Sequence, residues 1–218
     1  MKLYCISGLG ADQRVFAYLK LNYELIPLEW ISPLKNESIT AYATRLATKI
    51  NTNEQYGIMG VSFGGLVATE ISKQLSPSCT ILISSVETKN ELPPIFRFIA
   101  KTKLLNLLPA AFFTPPKFIA HRYFGTKKKE LLNQILNDTN NYFAKWAVNE
   151  LVNWKNEDKI DNNKLKIEGE KDRLLPPTKD KKKVLVANGG HLMIVDKAEE
   201  ISLIINKWLE THSLEVTK

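Results

Sequence analysis

Short runs of apolar residues recur along the chain and predict the strands of a sheet. Most positions in each run are apolar, which is typical of strands covered by helices on both faces of a parallel sheet. Six such runs occur, at residues 3–7, 23–28, 56–61, 80–84, 164–168 and 183–187. They predict a mostly parallel sheet of about six strands.

Longer segments between these runs have the spacing of amphipathic helices. One follows Ser38, a second covers residues 66–75, and the last runs from about Ala198 to Leu209. In each segment, apolar residues recur every three or four positions. The alternation of strands and helices predicts a doubly wound α/β fold.

The alternation breaks in the middle of the chain, where prolines separate apolar helical segments at residues 95–108 and 131–136. We therefore predict a core formed by residues 1–86 and 161–218, and a helical cap or lid formed by residues 87–160. An insert at the carboxyl end of a strand lies where α/β sheets bind their ligands.

Composition is that of an ordinary globular protein: of 218 residues, 44% are hydrophobic and 24% charged. No apolar run approaches the ~20 residues of a membrane-spanning helix, and the N-terminal run is too short for a signal peptide. We therefore expect no stable membrane insertion. Cys5 and Cys79 lie in apolar runs and are predicted to be buried free thiols, which favours a cytoplasmic location.

The net charge of +7 is concentrated in the middle of the chain, because residues 88–150 contain 10 basic and 4 acidic side chains. Such a patch can attract nucleic acid, anionic lipid or an acidic substrate. The simplest interpretation is a solvated lysine-rich surface. An anionic leaving group near Arg122 and residues 127–129 is an alternative. We expect no nucleic-acid partner, since no basic motif interleaved with aromatic residues is present.

The most informative motif is Gly60-Val61-Ser62-Phe63-Gly64-Gly65, between a predicted strand and a predicted helix. A tight turn of this kind exposes the central serine, and small residues two positions away let strand and helix approach. Ser62 is therefore the candidate nucleophile. The backbone N–H of Phe63, at a helix N-terminus, is positioned to stabilise a negative oxygen.

A serine nucleophile needs a base and a group that orients the base. Of three histidines, His191 lies in a glycine-containing loop after the last predicted strand, whereas His121 lies in the insert and His212 in the C-terminal tail. His191 is the candidate base. Asp172, in the loop after the fifth predicted strand, is the candidate orienting carboxylate.

Two other carboxylates remain alternatives to Asp172. Glu170 is a weaker candidate in the same loop, and Glu87 follows the fourth strand at the same sheet edge.

The loop Ser7-Gly8-Leu9-Gly10-Ala11-Asp12 follows the first strand. Its glycines permit a sharp turn in which the backbone N–H of Leu9 faces the nucleophile as a second oxyanion donor. A phosphate-binding loop is the competing interpretation, but the complete glycine pattern of such loops is missing.

Together these residues resemble the α/β-hydrolase fold superfamily over nearly the whole chain, in the serine-nucleophile, capped, esterase-like form. The resemblance implies a Ser62–His191–Asp172 triad, with the backbone amides of Leu9 and Phe63 as the oxyanion hole. The sequence departs from the pattern of these relatives at Ser7, where they usually have histidine. Because the loop already starts at residue 8, we also expect the antiparallel hairpin that usually precedes it to be missing.

The function expected from this site is a serine hydrolase that cleaves a small or medium carboxylic ester, or a thioester, through an acyl-enzyme on Ser62. Its partner would be the small-molecule substrate, and no cofactor or metal is expected. Acyltransferase or lyase chemistry with the same triad, and a non-catalytic ligand-binding or signalling protein of this fold, are the alternatives. An apolar ceiling over the site is predicted from Ile95, Phe96, Phe98, Leu104, Leu105, Phe112 and Phe113.

Overall fold

A computed structural model describes residues 1–102 and 104–213, without the side chains of Arg97, Leu104, Asn106 and Ser213. Its centre is a six-stranded sheet in the order β2-β1-β3-β4-β5-β6. Every strand pairing is parallel, so the carboxyl ends of all strands lie at one edge. The predicted fold class is confirmed. The strands are β1 Lys2–Ile6, β2 Glu24–Pro27, β3 Tyr56–Val61, β4 Cys79–Ile83, β5 Asn163–Gly169 and β6 Val184–Val186.

Nine α-helices connect the strands or cover the sheet in the described part of the chain. The apolar segment 95–108 forms two helices rather than one, and α5 and α7 were not predicted from the sequence. They are α1 Ile39–Ala47, α2 Phe63–Leu75, α3 Pro94–Thr102, α4 Leu104–Leu107, α5 Lys117–Phe124, α6 Lys129–Asp138, α7 Asn141–Asn153, α8 Met193–Asp196 and α9 Ala198–Ser213.

Two hydrophobic clusters form the core, one on each face of the sheet. Alternate residues of a strand point to opposite faces, so β1 places Tyr4 and Ile6 in one cluster and Leu3 and Cys5 in the other. The first cluster includes α1, α2 and α7, and the second includes α9. Burial on both faces explains why the central strands are almost entirely apolar.

β5 departs from the expectation of a strand that is apolar on both faces. Its Lys166 is only 3% exposed and its ammonium lies 2.8 Å from Glu91, with Glu168 and Asp180 each at 3.7 Å. A buried charge is tolerated when it is paired in this way. The pairing attaches the segment after β4 to β5.

The segment between β4 and β5 is tied to the core through α7. Phe143 and Ala147 of α7 belong to the same buried cluster as α1 and α2. The carboxylate of Glu150 accepts a hydrogen bond from the Ile39 backbone N–H at the start of α1, at 2.8 Å. Burial raises the pKa of Glu150. The division into a core and a cap of residues 87–160 stays a prediction.

Cys5 and Cys79 are buried and unpaired, as expected from their apolar surroundings. Burial raises the pKa of both thiols, that of Cys79 to about 12. Within the described ranges, no helix has the length and hydrophobicity needed to cross a bilayer.

Candidate active site

Ser62 occupies the turn between β3 and α2 at the carboxyl edge of the sheet. Its backbone has φ 53° and ψ −123°, a conformation that residues with side chains rarely adopt. Strain of this kind persists only where the surrounding structure enforces it. Here the Ser62 N–H donates to the Ile83 carbonyl at 3.0 Å, and the Ser85 hydroxyl donates to the Ser62 carbonyl at 2.7 Å.

Glycines on either side of Ser62 allow this turn. A Cβ atom on Gly60 would lie 2.4 Å from the Gly64 carbonyl oxygen, and one on Gly64 would lie 2.2 Å from that of Ser7. Both neighbours are backbone atoms, which cannot move aside cheaply. The spacing G-x-S-x-G is therefore a packing requirement of the strand–helix contact.

His191 lies in the loop after β6 and is almost completely buried. Its Nε2 is 2.8 Å from the Ser62 hydroxyl oxygen, and its Nδ1 is 2.8 Å from Oδ2 of Asp172. A carboxylate only accepts hydrogen bonds, so Nδ1 carries the proton and Nε2 is left to accept from the serine.

A helix of the middle segment supports the histidine. The Phe124 ring at the end of α5 meets the imidazole edge to face, with ring centres 5.4 Å apart. The Phe124 carbonyl also accepts the Leu192 N–H at 3.2 Å. The histidine loop is thus fastened to α5.

Asp172 is buried in the loop that follows β5. Its Oδ1 accepts the backbone N–H groups of Leu174 and Leu175, each at 2.9 Å. These two bonds fix the carboxylate and leave Oδ2 directed at His191. The loop therefore selects which oxygen faces the imidazole.

The alternative carboxylates have other partners. Glu87 is fully buried and accepts hydrogen bonds from the Ile160 N–H and the Lys164 ammonium. Glu170 accepts the Asn188 N–H at 2.8 Å. Of the three candidate acids, Asp172 is the one that the structure places against the imidazole of His191.

The remaining histidines also lie elsewhere. His121 Nε2 is 2.8 Å from the Asn133 side-chain oxygen, between α5 and α6. His212 stacks on Trp208 near the end of α9, with ring centres 4.3 Å apart.

The loop after β1 is held by side-chain hydrogen bonds. Trp30 Nε1 donates to the Ala11 carbonyl at 3.1 Å and to the Gly8 carbonyl at 3.3 Å. The Ser7 hydroxyl donates to the same Ala11 carbonyl at 2.8 Å. The serine that replaces the usual histidine thus anchors this loop. Since the Gly8–Leu9 peptide bond is trans, the Leu9 N–H points opposite to the Gly8 carbonyl, away from Trp30.

The same loop lies against Ser62. A Cβ on Gly8 would be 3.5 Å from the Ser62 Cβ. Phe63 is the first residue of α2, so its N–H has no partner within the helix. Leu9 and Phe63 both line the cavity described next.

A cavity of about 360 Å³ opens onto Ser62 and His191. Of the predicted ceiling, Phe96, Leu105, Phe112 and Phe113 line it, whereas the side chains of Ile95 and Phe98 are largely exposed. The Leu104 side chain lies outside the described residues. Further apolar wall residues were not predicted from the sequence, although the three in α6 recur at helical spacing. They are Leu132, Ile135 and Leu136 of α6, Val148 and Leu151 of α7, and Leu174 and Leu175 after β5.

The cavity wall is almost entirely apolar. Apart from Ser62 and His191, its polar side chains are Thr114 and Thr139, and no Lys or Arg contributes to the described lining. No group of three His, Cys, Asp or Glu side chains among the described residues is arranged to hold a metal ion. The site can therefore enclose an apolar group next to a hydroxyl–imidazole–carboxylate chain.

The fold and this edge of the sheet define the class of structure: the chain has the α/β-hydrolase fold, as the sequence suggested. No protein-family model matches the sequence, and a search of curated proteins found no match. Similar solved structures cover almost the entire chain.

Three of these structures are an esterase, MenH and a thioesterase. A thermophilic esterase from Thermogutta terrifontis has a TM-score of 0.76 at 16% identity, covering 97% of this chain and 90% of its own. MenH from S. aureus has a TM-score of 0.71 at 18% identity, covering 97% and 94%. The RedJ thioesterase of the prodiginine pathway in Streptomyces coelicolor has a TM-score of 0.64 at 13% identity, covering 96% and 90%. Sequence identities this low show that the fold is shared and nothing further.

Proposed function

We propose that the protein is a serine hydrolase that cleaves small or medium carboxylic esters, or thioesters, through an acyl-enzyme on Ser62. The observation that supports it is the unbroken chain of two 2.8 Å hydrogen bonds from Ser62 through His191 to Asp172. The chain ends at an apolar cavity that can hold an acyl group.

In the proposed reaction, the Ser62 oxygen forms a bond to the substrate carbonyl carbon while its proton passes to Nε2 of His191. The tetrahedral intermediate collapses as the carbon–oxygen or carbon–sulfur bond breaks, and the imidazolium gives its proton to the leaving group. Water, deprotonated by the same imidazole, then attacks the acyl carbon. The second intermediate collapses as the carbon–oxygen bond to Ser62 breaks, the imidazolium returns its proton to the Ser62 oxygen, and the acid leaves. Asp172 stabilises the imidazolium that forms in each half of the reaction.

The negative oxygen of each intermediate would be stabilised by the N–H groups of Leu9 and Phe63. Support comes from the direction of the Leu9 N–H, opposite to a carbonyl fixed by Trp30, and from the helix N-terminus at Phe63. A typical oxyanion donor is worth roughly 3 kcal/mol of transition-state stabilisation.

The strained serine and the oriented imidazole favour hydrolysis over non-catalytic binding, because a receptor needs neither of them. The presence of an esterase and a thioesterase among the similar structures supports the same reaction class for this chain. Transfer to another acceptor, or a lyase reaction, would use the same groups. We also propose a cytoplasmic location, supported by the two unpaired, buried thiols.

Labelling by a fluorophosphonate probe tests the nucleophile directly. The wild-type protein should be labelled on Ser62, and the Ser62→Ala variant should not. The matched control is Ser32→Ala, which changes an exposed serine of a loop and should leave labelling intact. Folded wild-type protein that resists labelling would contradict the proposal.

A series of p-nitrophenyl esters and acyl-thioesters tests the substrate class. Because the cavity is at the low end of the roughly 300–1,000 Å³ range of ligand sites, activity should fall for the longest acyl chains. The Val148→Phe variant places a larger side chain in the cavity wall and should therefore reduce the maximum acyl-chain length that is hydrolysed. The acetyl ester serves as the internal control, since its kcat/KM should change little. An unchanged chain-length profile would show that the acyl group binds elsewhere.

A further inference from the structure

Several large apolar side chains of the middle segment are exposed. Phe98 on α3, Phe112 before α5, and Phe118 on α5 are 66%, 71% and 74% exposed. Single exposed apolar residues are common, but three phenylalanines within 21 residues are not explained by the packing of this chain.

The charge of the same segment is of one sign. Residues 92–129 contain eight Lys or Arg and no Asp or Glu. On α5, Phe118 and Arg122 are one helical turn apart and both exposed, and Ile119 and Tyr123 repeat this spacing beside them. Aromatic and basic side chains therefore share one exposed helical face.

This face lies on the far side of the cavity roof. Phe96 of α3 and Phe124 of α5 line the cavity, so the exposed sides of both helices point away from it. Phe112 lines the cavity and is also largely exposed, which places it at the opening.

We propose that the exposed face of α5, formed by Phe118, Ile119, Arg122 and Tyr123, is a docking surface for anionic lipid membranes. The exposed Phe98 and Lys101 of α3, and Phe112 at the cavity opening, are further contacts to which such a membrane would offer apolar and anionic partners. Basic residues are attracted to anionic headgroups, and aromatic side chains partition into the interface. An acidic protein would also match the charge and pack on the phenylalanines, so the last arm of the experiment below separates it from a membrane. The proposal goes beyond the proposed hydrolysis and does not depend on Ser62.

Cosedimentation of the full chain with vesicles tests docking. Binding to phosphatidylcholine vesicles that contain phosphatidylglycerol should greatly exceed binding to pure phosphatidylcholine, and high salt should weaken it. The double variant Phe118→Ser/Arg122→Ser should bind at least fivefold more weakly, since about fivefold is expected from one basic residue alone.

A matched control exists on α9, where Leu203 and Lys207 are also exposed and one turn apart. The double variant Leu203→Ser/Lys207→Ser should bind like the wild type. Both double variants alter exposed positions, and equal melting temperatures would show that they fold. The Ser62→Ala variant should also bind normally, which separates docking from catalysis.

Three results would overturn the proposal. They are equal sedimentation with neutral and anionic vesicles, equal losses in both double variants, and absence of vesicle binding by the wild type. Fluorescence anisotropy of labelled poly-glutamate tests the alternative partner, an acidic protein. Binding of that polymer through the α5 residues, without vesicle binding, would assign the face to an acidic protein instead.

Discussion

Replacing Asp172 by asparagine tests how the imidazole is oriented. The side-chain oxygen of the variant should keep the hydrogen bonds from the Leu174 and Leu175 N–H groups, because an amide NH₂ placed there would face two donors. The NH₂ group is then directed at His191. Nδ1 must accept from it, so the proton moves to Nε2, which can no longer accept from Ser62.

This change of tautomer determines how much activity should be lost. The imidazole cannot act as a base in that form, and in enzymes with this arrangement the same substitution lowers kcat by about 10⁴-fold. Such a loss corresponds to about 5 kcal/mol of activation free energy. Folding should be little affected, since both backbone hydrogen bonds remain.

The assay is hydrolysis of a short p-nitrophenyl ester at pH 7, with ¹⁵N NMR of the His191 ring to report the tautomer. The control is Glu170→Gln, which removes a negative charge from the same loop but away from the imidazole. Activity of the Asp172→Asn variant within tenfold of wild type, with the protein folded, would refute the reasoning.

Two further predictions concern stability. Gly64→Ala should destabilise the fold by about 3 kcal/mol or more in urea unfolding, because the new methyl group would meet the Ser7 carbonyl, whereas Gly8→Ala should fold normally because its nearest contact is ordinary. The hydrogen bond from Arg45 lowers the pKa of Glu37, so this carboxylate stabilises the fold above its ordinary pKa of about 4.3 and loses that effect as the pH falls through the lowered value. The melting temperature of Glu37→Gln should therefore lie below wild type at pH 7 and approach it in acid; a gap that does not depend on pH would contradict this.

The sheet could be predicted from the sequence because its central strands are buried on both faces. Ile58 and Met59 of β3 point to opposite sides and are both fully buried, so the run has no polar interruption. The turn at Ser62 could be predicted from the positions of Gly60 and Gly64, two residues before and after the serine. The contact between Gly60 and the Gly64 carbonyl is local in sequence, whereas the contact between Gly64 and the Ser7 carbonyl becomes visible only in the folded structure.

The partners of charged side chains on neighbouring strands were harder to predict from the sequence. Whether Asp172 or Glu87 faces His191 depends on which groups β4 and β5 bring together, and Lys164 engages Glu87 only because these strands are adjacent. The buried Lys166 likewise looks like an exposed residue until its acidic partners are placed around it.

The missed helices have different explanations. α7 has a readable start, since Asn140 caps it and Phe143 and Ala147 follow at helical spacing. α5 has little pattern, because Ala120 is its one fully buried residue and Phe118, Ile119 and Tyr123 are exposed. A helix whose apolar side faces solvent cannot be recognised by amphipathic reasoning about a core.

The attachment of α5 to the histidine loop limits how the cavity can be entered. Swinging α5 outward would break the hydrogen bond between Phe124 and Leu192 and remove the ring packed against His191. Entry by that route would therefore remove two contacts that hold the imidazole of His191 next to Ser62. Passage beside Phe112, which lines the cavity and is largely exposed, requires no break in these contacts and leaves the imidazole in place.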